Sequence, residues 1–271
     1  MTATTIETTT GTRTAGAAFS SLLLRDLVVV RKQPMPFLMR TVTQPLLTVF
    51  VFAYVFPKIG QTIGGHNSDF ATNLAPGLLG MSMIFQGIQA VALPLVQEFG
   101  YTREIEDRVM APLSVAMVGF AKIVSGAVQA ALAALITVPI LLWVPASPVH
   151  LRVHWLALIT VAPLAALLSG SLGLALGTRV QPRQVPLMFS ILVLPMSMLG
   201  CVYYPWSSLH TIKWLQYAIL INPLVYMNEG FRMSITNIPH MSPWAIYGML
   251  IAATALLMRA GLKGFANRVL T

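Results

Sequence analysis

Residues 155–178 read WLALITVAPLAALLSGSLGLALGT, an apolar run without a charged side chain, bounded by His154 and Arg179. An α-helix rises 1.5 Å per residue, so about 20 such residues cross a hydrocarbon core roughly 30 Å thick. This run is long enough to cross, and others in the chain repeat it. Spans are predicted at 37–56, 74–96, 117–144, 155–178, 187–203 and 243–262, which makes the expected fold class an all-α polytopic membrane protein with six transmembrane helices. The composition agrees: 271 residues that are 56% hydrophobic and 9% charged, with a mean hydropathy of +0.75. In a soluble protein a net charge of +9 would suggest a nucleic-acid partner. Here the cations are judged by where they fall around the spans, and no nucleic acid is expected. Cys201 is the lone cysteine, which excludes an intrachain disulfide.

The flanks of the spans have their own patterns. Residues 1–16 are Thr-rich without an apolar core and read as a flexible cytoplasmic tail. Residues 17–271 form one transmembrane domain. Within 17–33, Phe19, Leu22, Leu23, Leu27 and Val30 recur at helical spacing beside Arg25, Asp26, Arg31 and Lys32, as in a helix lying along the membrane surface. Pro34 and Pro36 separate it from the first span. With both termini in the cytoplasm, all of the 17 cations fall on that side except Lys58, Arg152, Lys213 and Arg232. The positive-inside rule therefore supports this orientation. Residues 212–227 are nearly apolar but are interrupted by Asn222 and Pro223. A crossing there would carry Arg259, Lys263 and Arg268 to the wrong side, so an external re-entrant helical hairpin over about 206–231 is expected instead.

The connection after the second span, EFGYTREIEDRVMAP at residues 98–112, holds Glu98, Glu104, Glu106 and Asp107, half of the eight acidic residues. A solvated loop face is the plain explanation of such a run. Arg103 with Asp107, and Glu104 with Arg108, are i,i+4 pairs that favour a short exposed helix ended by Pro112.

Gly100, the run Arg103 to Ser114 and Lys122 closely resemble the cytoplasmic loop of type 2 ABC exporter permeases. Gln44-Pro-Leu-Leu47 with Tyr54 and Phe56, Pro76-Gly77, and Asn222-Pro-Leu with Tyr226 and Glu229-Gly-Phe-Arg232 resemble other parts of that family. The similarity runs from about Phe19 to the C-terminus and is nearest to the drug-resistance permeases. It implies two six-span permeases, identical or homologous, in a prokaryotic cytoplasmic membrane. Each is bound from the cytoplasm by an ABC ATPase subunit, two per complex, with ATP and Mg on the ATPase and no cofactor in this chain. The resemblance assigns coupling to Gly100, Tyr101, Thr102, Arg103, Glu104, Ile105, Glu106, Asp107, Arg108 and Pro112. The cargo it implies is a drug or lipid-like molecule moved outward, with polysaccharide or glycolipid export as the alternative within the family.

The sequence contains no Gly-x-x-x-x-Gly-Lys-Ser/Thr phosphate loop, so energy is expected from a separate subunit or from an ion gradient. Ion-coupled carriers usually keep ionisable groups inside their spans, and no Asp or Glu lies in any predicted span, which favours the separate ATPase. A membrane enzyme would need clustered reactive groups, and no nucleophile with a base and no metal set is found. The interiors are mildly polar instead. Thr41, Gln44 and Thr48 share one side of the first span, and Gln86 and Gln89 lie three apart on the second. They either line a path for an amphipathic cargo or hydrogen-bond neighbouring helices. Ser169, Gly173 and Gly177, spaced by four, point to close helix packing. Glu229 and Arg232 can pair within the hairpin; with Asn222, Pro223 and Tyr226 they are also the candidates for an external gate. All five tryptophans and all five histidines fall near the outer boundary, as an anchoring belt does. His150 and His154 have i,i+4 spacing, but no acidic residue stands near them and no metal is expected.

Overall fold

The structure is a computed structural model that describes residues 34–59, 70–99 and 114–270, with scattered positions between 20 and 32. The tail at 1–16 and the expected coupling loop at 100–112 lie outside the described residues. Those positions that are described between 20 and 32 are helical.

The described residues contain helices and no strand. Helix α1 runs Pro34–Val49 and continues through a wider π-helical turn, Phe50–Val55, to Phe56–Lys58. Helices α2 (Phe70–Gln97), α3 (Val115–Trp143) and α4 (Trp155–Gly177) follow. A broken helix, α5, comprises Val185–Met188, a π-helical turn Phe189–Val193 and Leu194–Met198. Short α6 (Lys213–Ala218), α7 (Pro223–Ile235) and long α8 (Pro243–Leu270) complete the order. Among the described residues five helices are long and apolar enough to cross a membrane: those of α1, α2, α3, α4 and α8.

Four of the six predicted spans match these helices to within a few residues. The last span is longer than predicted, because α8 continues past 262 to seat Phe265 in the core. The fifth differs more. Predicted at 187–203, it ends at Met198, and residues 185–198 at 1.5 Å each reach only about 21 Å. Beyond it the chain turns through Cys201, a non-glycine residue with φ 55°. Residues 212–227 form no continuous helix. They break at Asn222, whose extended backbone and side-chain oxygen cap α7 through the Leu224 amide.

Helix α2 is the hub. In its most apolar stretch 72% of residues are buried, against 22% for α1 and for α8. It packs on α3, α4 and α7, while α8 packs on α4, α7 and α3. The small-residue stripe of α4 meets α2 face to face: a Cβ on Gly173 would lie 2.5 Å from the Gly87 carbonyl oxygen, and one on Gly87 would lie 2.5 Å from the Ser169 Cβ. Only residues that lack bulk allow these backbones so close.

The helix ends sort into two opposite faces. At one, Arg268 near the end of α8 donates to the carbonyls of Gly177, Thr178 and Val180 at the end of α4. Its guanidinium also lies 4.8 Å from the Phe99 ring beyond α2. At the other, the His150 amide donates to Thr72 at the start of α2 and the Ala146 amide to the Ala53 carbonyl of α1. The His154 amide, just before α4, donates to Ser234 in α7. Trp143, Trp155, Trp214 and Trp244 are 67–89% exposed on this second face, as an interfacial belt requires.

Candidate functional site

Two clusters hold the residues that the sequence singled out for a path and for a gate. The first lies between α1 and α2. Thr41 donates to Gln86 Oε1 at 3.1 Å, and Gln86 Nε2 donates to Gln129 Oε1 of α3 at 3.5 Å, all three side chains being buried. This polar line crosses three helices. Beside it a narrow cleft is lined by Thr41, Gln44, Thr48, Ser82, Gln86 and Gln89, interleaved with Pro45, Leu78, Met81 and Phe85, and Arg40 contributes its one charge. The enclosed space is about 20 Å³, room for a water molecule but not for a cargo. All five residues proposed from sequence for a path therefore meet here. Gln129, isolated in the apolar stretch of α3, and Ser82 were not anticipated.

The second cluster surrounds α7, which is buried against α2, α4 and α8. Asn222 Oδ1 starts the helix, and its Nδ2 donates to the Met196 carbonyl of α5 at 2.7 Å. The Tyr226 hydroxyl donates to the Leu220 carbonyl, closing the bend that Pro223 follows. One turn on, Asn228 donates to the Gly200 carbonyl at 2.6 Å. Glu229 and Arg232 form an ion pair through Oε1 and Nη1, both side chains being fully buried.

The pair is sealed by backbone groups. Glu229 Oε1 also accepts from the Trp206 amide at 3.0 Å, and Oε2 accepts from the Met241 amide at 2.8 Å. Arg232 Nη2 donates to the Cys201 carbonyl at 3.4 Å and to the Asn73 carbonyl at 3.5 Å. A buried charge is tolerated only when it is paired and hydrogen-bonded, and here one carboxylate ties together α7, the entry to α8 and the chain after α5. Gly77 of α2 completes the fit, since a Cβ there would lie 2.1 Å from the Val202 carbonyl oxygen. Asn222, Pro223, Tyr226, Glu229 and Arg232 are thus brought together as one polar knot. The Trp206 and Met241 amides carry no side-chain signal, so the pattern of residues could not reveal them.

At the opposite face Lys122 pairs with Glu98 at 3.0 Å, both nearly buried, joining the end of α2 to the start of α3. This pair sits at the root of the 100–112 loop. Among the described residues no group of three His, Cys, Asp or Glu side chains could hold a metal.

Among the described residues five helices are long and apolar enough to cross a membrane, polar side chains line the cleft between α1 and α2, and the ion pairs Lys122–Glu98 and Glu229–Arg232 lie toward opposite ends, an arrangement that suits a transport subunit. Residues 17–236 match the family model described as ABC-2 type transporter. The chain belongs to the ABC-2 type transporter family. It is 28% identical over 229 residues to the inner membrane transport permease YadH of Escherichia coli K12, covering 80% of this chain and 85% of the relative. The YadH proteins of Escherichia coli O157:H7 and Shigella flexneri match equally. Membership makes the chain the multi-pass membrane component of an ABC transporter, whose ATPase activity sits in a separate subunit. The side chains of both clusters, and the root of the loop, lie within the matched residues 17–236.

Proposed function

We propose that this permease is one half of an ATP-driven exporter that moves a hydrophobic or amphipathic molecule, a drug or lipid-like compound, out of the cytoplasm or the inner leaflet. Two ABC ATPase subunits carrying ATP and Mg drive it from the cytoplasmic side, and a second permease, identical or homologous, stands beside it. In this reading α5 completes a sixth crossing and both termini are cytoplasmic. Residues 206–231 form the external re-entrant hairpin.

The observation that carries the reading is the cleft between α1 and α2, where polar side chains, all uncharged but Arg40, alternate with apolar ones. Such walls suit a cargo with a polar head and a greasy body, and they lack the carboxylates that a proton-coupled path would use. The outer side of α1 supports a second permease: Leu38, Met39, Leu46, Leu47, Phe50 and Tyr54 are 36–62% exposed next to that cleft. A cleft this narrow widens into a path only if α1 moves, and closure of the two ATPases against residues 100–112 supplies the push.

The test is reconstitution with the ATPase in vesicles, following ATP-dependent movement of a fluorescent amphiphile. Glu106→Lys with Asp107→Lys is expected to lower both transport and ATPase copurification while membrane insertion is kept. Normal copurification and transport in that variant would remove the coupling assignment. Transport that persists without the ATPase and stops when the proton gradient collapses would replace the reading with an ion-coupled carrier.

A further inference from the structure

Between the end of α4 and the last turns of α8 lies an open cleft of about 550 Å³, lined by Thr178, Arg179, Ala260, Lys263, Asn267 and Arg268. Among the described residues its charge is positive and unbalanced. The two carboxylates among the described residues, Glu98 and Glu229, are paired with Lys122 and Arg232. The exposed side chains of Arg179 and Lys263 make no ion pair or hydrogen bond among the described residues. The carbonyl end of α4 would ordinarily attract a nearby cation. Arg268 already takes that position, on the carbonyls of Gly177, Thr178 and Val180, so Arg179 is left facing the cleft. One turn nearer the membrane centre Arg259 precedes Lys263 by four residues, a like-charge spacing that costs stability unless an anion lies between.

The cleft is continuous with an apolar strip. Met249, Ala252, Leu256, Ala260, Lys263 and Asn267 share one side of α8, with Leu256 67% and Met249 39% exposed. Polar head below and greasy groove above is the shape of a phospholipid. A free phosphate would use the cations but leave the strip unused, and an acidic protein surface would not reach into the hydrocarbon. We infer that this cleft seats the phosphate headgroup of an anionic phospholipid from the adjoining leaflet, between Arg179 and Lys263, with its acyl chains along Leu256, Ala252 and Met249. Basic pockets between membrane helices recognise anionic headgroups in this way. The inference needs only the membrane-spanning placement, not the direction or cargo of transport.

The test is native mass spectrometry of the intact transporter in detergent with equal phosphatidylglycerol and phosphatidylethanolamine, paired with thermal unfolding. The wild type is expected to retain phosphatidylglycerol several-fold over phosphatidylethanolamine. Arg179→Gln with Lys263→Gln should abolish that preference, and Arg179→Lys with Lys263→Arg should keep it. If the double Gln variant does not insert, each single variant is expected to lose part of the preference. Three results would overturn the inference. One is wild-type preference in the Gln variants. Another is a thermal shift with inorganic phosphate equal to that with phosphatidylglycerol, which would assign a free anion. The third is loss of ATPase copurification with lipid retention unchanged, which would make the patch a protein surface.

Discussion

Arg232 reaches the carbonyl oxygen of Cys201 with Nη2 at 3.4 Å, while its Nη1 holds Glu229. Cys201 sits at φ 55°, a conformation that costs a non-glycine residue about 1–2 kcal/mol, and the arginine is one of the contacts that hold it there. Arg232→Ala would strand a fully buried carboxylate, for which about 3–5 kcal/mol of destabilisation is expected. Glu229→Leu with Arg232→Met removes both charges at once and should cost less than either single change. Thermal denaturation of the purified permease measures all of these. A single variant as stable as the wild type would show that the pair does not hold the fold.

Cys201 also offers a built-in reporter. It is fully buried and is the one cysteine in the chain. In intact membranes a membrane-permeant maleimide is expected to label it slowly, and in denaturant completely. Asn228 anchors the neighbouring Gly200 carbonyl, so Asn228→Ala should release this turn and speed labelling well before the protein unfolds. Mass-shift gels over a time course read the rate; equal rates in the two proteins would mean that the turn is held by packing alone.

Glycine positions separate packing from propensity. At Gly173 a Cβ would lie 2.5 Å from a backbone oxygen that cannot swing away, whereas at Gly248 nothing lies within 4 Å. Gly173→Ala is expected to lose about 1–3 kcal/mol through overpacking. Gly248→Ala should be neutral or gain up to about 1 kcal/mol of helix propensity. The melting temperature should therefore fall for Gly173→Ala and not for Gly248→Ala, and a matched fall in both would argue against the α2–α4 contact.

What the sequence disclosed follows from which signals are periodic. The α4 run was legible almost to the residue because an uncharged stretch between His154 and Arg179 has one solution in a bilayer. Ser169, Gly173 and Gly177 announced a helix contact through spacing alone, and Glu229 with Arg232 announced an ion pair. Hydropathy could not show that α5 is broken by a π-helical turn, because Phe189 to Met198 is apolar whichever way its carbonyls point. Nor could it pair Lys122 with Glu98 across two helices, or find the Trp206 and Met241 amides, since backbone donors are the same in every residue but proline.

Gln86 decides between the two roles that the polar residues were given. It joins Thr41 to Gln129 and also faces the cleft. Hydrogen bonds between membrane helices are worth about 0.6 kcal/mol on average and under 2 kcal/mol at most, because the separated helices find other partners. Gln86→Leu should therefore lower stability only slightly, and Thr41→Val no more. If Gln86 touches cargo, Gln86→Leu should reduce ATP-dependent transport several-fold and shift the preference toward more apolar amphiphiles. Gln129→Leu, which removes the same hydrogen bond from the α3 side, away from the cleft lining, is the control. Equal transport loss in Gln129→Leu and Gln86→Leu would make the line a helix fastener; loss confined to Gln86→Leu, at nearly unchanged melting temperature, places the cargo against α2.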